Sequence, residues 1–117
     1  MVAIRIEFQQ TGTLPDGGFG YKTNKIETVE LPARLPALRA CGIDPVDITV
    51  NKTNQPIICV RHALIELTAP GLDPVGIHVD QTAKITLRPK YTLSVIDHST
   101  GAYRAIVSLV SDETPAQ

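Results

Sequence analysis

His78 and Asp80 stand two residues apart in an alternating segment, the spacing that puts two metal-ligating side chains on one face of a strand. With Cys59, His62 and His98 they are the residue types here that could gather around a divalent cation. The spacing argues against it. Cys59 and His62 are three apart, so a regular strand sends them to opposite faces. His78 and Asp80 fill the parity left polar by Val75, Ile77 and Val79, and a solvated strand face accounts for both. No metal and no cofactor is expected.

Nucleophilic chemistry has two sources, Cys59 with His62 and Ser99 with His98 and Asp97. Asp97, Ser99, Thr100 and Gly101 are what a hairpin turn requires for backbone reasons, and a loop tip excludes little water around a developing charge. Cys59 sits in the most apolar segment of the chain, where a thiol keeps its proton. No catalytic residues are assigned, and the chain reads as a non-enzyme.

The loop Asp16–Thr23 resembles a phosphate cradle in its glycines. It lacks the G-x-x-x-x-G-K-[ST] spacing, Tyr21 separates Gly20 from Lys22, and no helix follows to offer its amides. Asn51-Lys52-Thr53 matches a glycosylation sequon; no secretory signal is expected, so the match is expected to be chance.

Binding surfaces are the remaining class. Phe19, Tyr21, Lys22 and Lys25 lie close in sequence, and Arg88, Lys90 and Arg104 flank a second aromatic group, the mixture that binds single-stranded nucleic acid on small barrels. Against that reading, the net charge is −1 and aromatics make up only 4% of the residues, so neither a general field nor many stacking platforms exist. A protein surface is favoured. Ala102–Leu109 is apolar on both parities, so Tyr91, Tyr103, Ile106, Val107 and Leu109 are the candidate interface, covered either by a neighbour or by the protein's own fold.

Elements must position these residues, and 117 residues with 43% hydrophobic and 20% charged content suffice for one folded domain, over 1–111, with a polar tail at 112–117. Arg5 and Glu7 interrupt the first apolar residues, and no run approaches a membrane span, so a soluble cytoplasmic protein is expected. In that compartment Cys41 and Cys59 stay reduced and buried.

Val2, Ile4, Ile6 and Phe8 alternate with polar residues as a first strand. Thr11–Gly20 reads as turn chemistry throughout, and Tyr21–Leu31 as a strand with a bulge near Glu27-Thr28, where the apolar parity switches. Leu35–Gly42 offers a short helix from about Pro36 to Cys41, anchored by Leu35 and Leu38. Val46, Ile48 and Val50 alternate as a further strand. Ile57–Leu67 suits a central strand covered on both faces, its β-branched residues outweighing a helical alternative. Val75–Val79 and Ala83–Leu87 each carry apolar residues on odd positions.

The closing stretch Tyr91–Val110 reads as one long hairpin turning at Asp97–Gly101. The expected register sets Val95 against Tyr103, Leu93 against Ala105 and Tyr91 against Val107. About seven strands separated by turn signals predict a mainly β fold, an antiparallel sandwich or partly open barrel with one short helix. The functional expectation is a non-enzymatic module acting through protein surfaces, a self-assembling subunit forming a homo-oligomer or a docking protein, of a kind that suits viral or phage origin. Single-strand nucleic-acid binding is the alternative.

Overall fold

The computed structural model describes residues 2–31, 36–41, 43, 48–97 and 101–110. Seven strands make one antiparallel sheet curled into an open half-barrel: β1 (Ala3–Thr13), β2 (Phe19–Glu30), β3 (Thr49–Val50), β4 (Pro56–Thr68), β5 (Val75–Thr86), β6 (Thr92–Asp97) and β7 (Tyr103–Leu109). Their order is β2-β1-β7-β6-β4-β3, with β5 paired along β4. The mainly β expectation holds. Residues 112–117, expected as a tail, lie outside the described residues, as do residues 44–47 of the proposed Val46 strand and His98, Ser99 and Thr100.

Alternation does its work where it was read. Ile4 and Ile6 on β1, Leu93 and Val95 on β6, and Ala105 and Val107 on β7 are buried on the inner face. Pro36–Cys41 is a 3-10 helix that packs against β6 and β7 and delivers Leu38 and Cys41 to the core. Six residues are too few for a self-supporting helix, so tertiary packing holds it.

The closing hairpin keeps the expected parity but shifts by two residues. Val95 faces Ala105 and Leu93 faces Val107, not Tyr103 and Ala105. The turn decides this. Gly101, at φ 68°, donates its N–H to Asp97 O at 3.0 Å, while Ala102 O accepts from Thr11 N–H at 2.9 Å. Ala102 is thereby spent on β1, and the β6–β7 ladder begins at Ile96 and Arg104.

The β1–β2 hairpin is also tighter than read. Strand pairing continues to Thr13 opposite Phe19, leaving Leu14–Gly18 as the turn. Gly17, at φ 90°, donates to Leu14 O, and Gly18 N–H donates to Asp16 Oδ1 at 2.8 Å. The glycine-rich segment satisfies its own backbone. The bulge in β2 falls at Asn24, between the pairs Phe8–Lys25 and Gln9–Thr23, rather than at Glu27-Thr28. Lys25 lies inward of it with its ammonium 5.5 Å from the Phe8 ring centroid, so a charged residue occupies the parity where an apolar one was sought.

β4 is a strand, and it bends. A straight strand of its length would carry Pro56 roughly 40 Å from Thr68. Leu87 donates to Pro56 O at 2.8 Å, Thr92 opposes Thr68, and the five-residue step between Leu87 and Thr92 reaches at most about 18 Å. The ribbon therefore folds over at its irregularity, where His62 takes φ 44° and the register against β5 shifts between Arg61 and Ala63. Before the bend Ile58, Cys59 and Val60 are buried in succession; beyond it only Ala63 and Ile65 are, and Leu64 and Glu66 are exposed. Cover on both faces is thus confined to the first half.

Candidate functional site

The outer face of β1, β2 and β7 carries a polar network built by register. Gln9 stands opposite both Thr23 and Arg104. Arg104 Nε donates to Gln9 Oε1 at 2.7 Å, and Gln9 Nε2 donates to Glu7 Oε2 at 3.0 Å. Thr23 Oγ1 donates to the same carboxylate, and Arg5 lies 3.6 Å from it. These partners, Thr23 first, hold the Glu7 carboxyl below its ordinary pKa against the opposing effect of burial. Tyr21 completes the group: its hydroxyl donates to Gly101 O at 2.6 Å, and the Arg104 guanidinium lies 4.0 Å from its ring centroid.

Of the nucleic-acid candidates, Phe19, Tyr21, Lys22 and Arg104 come to one end of the sheet. Phe19 is 75% exposed. Lys25 is engaged by Glu27 at 2.8 Å. Arg88 and Lys90 belong to the turn that enters β6, whereas Tyr21 binds Gly101 beyond the strand's far end, so roughly 20 Å of strand separates the two basic groups.

The interface candidates divide as well. β7 is an interior strand between β1 and β6. Val107, 1% exposed, belongs to the protein's own core, against which Tyr91 and Leu109 pack half-buried. Ile106 is half-buried on the outer face, and Tyr103, at 40% exposure, stands at the rim.

Exposed apolar surface gathers elsewhere, at the β5 edge. Val75 and Ile77 lie opposite Leu67 and Ile65, so they extend the inner face, yet they are 55% and 49% exposed. Leu64, 44% exposed, opposes His78 on the outer face, and Leu72 is exposed in the preceding turn. Beside them a groove of about 470 Å³ runs over β4, β5 and β6, with Leu64, Gly76, His78, Ile96 and Arg104 on its walls. Alternation along Val75–Val79 was legible; that Val79 is buried while Val75 and Ile77 stay about half exposed was not. A strand's apolar side is written alike whether or not something packs on it.

Among the described residues no group of three or more His, Cys, Asp or Glu could hold a metal ion. His78 Nδ1 lies 3.3 Å from Asp80 Oδ1 on the exposed face. Cys41 and Cys59 are free and buried, and burial, with a lesser contribution from the Asp97 charge, pushes the Cys41 thiol up to about 11. Asn51 of the sequon organises its turn: its Oδ1 accepts from the N–H groups of Thr53 and Gln55, each at 2.9 Å, and its amide donates to Gln55 Oε1. Among the described residues no helix is long and apolar enough to cross a membrane. Comparison with protein-family profiles, curated proteins and solved structures finds no match to this chain.

Proposed function

We propose that the protein is a non-enzymatic β module that works by associating with further copies of itself through the open edge of its sheet. One observation carries the reading: Val75 to Val79 is an edge segment without a charged residue, and its apolar side chains Val75 and Ile77 are about half exposed. Edge strands of folded proteins are ordinarily blunted by charges, prolines or bulges. The opposite edge, β2, meets that rule with Lys22, Lys25 and the Asn24 bulge. Over Val75–Val79 the β5 edge lacks such a guard, which favours a segment that is used. Light scattering after size exclusion over a wide concentration range tests it. Mass rising with concentration is expected, and a monomer throughout would remove the reading.

A second reading, binding of single-stranded nucleic acid, is supported by the exposed Phe19 ring beside Tyr21, Lys22 and Arg104. It ranks lower because Arg104 and Lys25 already hold protein partners and Arg88 and Lys90 lie at the far end. Oligonucleotide binding that falls steeply with salt would promote it, and no binding at low salt would end it.

A further inference from the structure

Resting on that reading and specifying its contact, we infer that two copies pair β5 against β5, antiparallel, about a two-fold axis through Ile77. Directly opposed residues of antiparallel neighbours share a sheet face, so the axis must pass through a residue and not between two. The register slip near Asp80 and Gln81 ends the regular part of the strand, which leaves Val75–Val79 to pair.

Within that segment the registers differ in what they oppose. An axis at Ile77 sets Ile77 against itself and Val75 against Val79, an unbroken apolar ladder on one face. On the other face each His78 meets Gly76, which has no side chain to obstruct it. One step further Asp80 meets Pro74, where the ladder stops without two like charges in contact and without a wasted N–H donor. An axis at His78 would instead oppose two imidazoles and set Val75 against Gln81 in the irregular stretch. An axis at Gly76 would run into Pro74 after a single apolar pair, and an axis at Asp80 would oppose two carboxylates. The Ile77 register is the self-complementary one.

Five residues a side is small beside the roughly 20–30 of a standard interface, so the pair forms weakly and depends on concentration. Cross-linking reads such a contact. Cys41 and Cys59 are buried, which leaves an introduced thiol as the reactive one. Ile77→Cys should form a disulfide dimer under mild oxidation, because opposed side chains in adjacent strands approach to about 4.5–5.5 Å at Cβ. Gly76→Cys mixed with His78→Cys should form a mixed dimer several-fold faster than either forms with itself. A Cβ at Gly76 meets only Ile65 O at 3.9 Å, so the fold tolerates that substitution, and a circular dichroism spectrum matching the wild type checks each variant.

Three outcomes separate the claims. Concentration-dependent mass with this cross-linking pattern supports the pairing. Concentration-dependent mass with Ile77→Cys staying uncross-linked, or with no preference for the mixed pair, overturns the register and leaves self-association standing. Wild-type monomer at every concentration overturns both.

Discussion

Arg104 lies against the face of Tyr21, its guanidinium carbon 4.0 Å from the ring centroid, and so joins the first hairpin to the last across 83 positions of sequence. The Tyr21 hydroxyl, bonded to Gly101 O at 2.6 Å, fastens the ring to the turn that set the β6–β7 register. The contact closes the β2–β1–β7 end of the sheet. It makes Tyr21 and Arg104 parts of a built contact, with Phe19 left exposed beside them.

Removing the hydroxyl alone should measure one part of this clamp. Tyr21→Phe keeps the ring under Arg104 and loses a hydrogen bond, a destabilisation of about 1 kcal/mol. Tyr21→Ala loses the stacked cation as well and should cost roughly a further 0.5–1 kcal/mol or more. Denaturant midpoints at constant slope would give both values, and equal midpoints for wild type and Tyr21→Ala would contradict the clamp.

Asn51 should behave as a turn residue. Asn51→Ala removes the acceptor of two backbone N–H groups in the Asn51–Gln55 turn, and the cost should be about 1–2 kcal/mol, read as a lower thermal midpoint. A midpoint unchanged within error would mean that the turn is held otherwise.

Two ionisable groups make opposite pH predictions. Folding raises the Cys41 thiol pKa to about 11 from an ordinary 9.0, so the folded state holds the proton longer and stability falls as pH rises from about 9 through 11. Folding lowers the Glu7 carboxyl, so its stabilisation is present above the ordinary carboxyl range and is lost as pH falls through it. Cys41→Ser should flatten the alkaline slope and Glu7→Gln the acid one, as seen in denaturant midpoints measured across pH.

Val107 and Ile77 should separate stability from association. Val107→Ala opens a cavity under β7 and should destabilise by about 2 kcal/mol without changing the mass at a concentration where the protein stays folded. Ile77→Lys replaces a half-exposed side chain and should leave the stability within about 0.5 kcal/mol of wild type while abolishing association. The reverse pattern would return the interface to β7.

The strands themselves were legible because burial on one face writes a period of two, and Ile4, Ile6, Leu93 and Val95 carry it without interruption. Register was less so. A shift of two residues preserves parity, so Val95 opposite Tyr103 and Val95 opposite Ala105 are equally consistent with alternation, and only the Gly101 turn and the Ala102–Thr11 bond choose between them. The Asn24 bulge was hidden because Lys25, a charged residue whose ammonium lies over Phe8, stands where an apolar residue would have marked the inner face. The clamp joined Tyr21 and Arg104, which sequence proximity had put into separate groups. β5 was readable as two alternating segments, Val75–Val79 and Ala83–Leu87, which the structure joins into one strand, and not as an edge, since cover is a property of the neighbours and not of the strand.

The central claim is that the Val75–Val79 segment of the β5 edge joins one copy to another, and light scattering of wild type beside Ile77→Lys, over the same concentrations, tests it most directly. The wild type should climb from monomer toward dimer mass while Ile77→Lys remains monomeric with an unchanged circular dichroism spectrum. Equal masses for the two proteins at every concentration would contradict it.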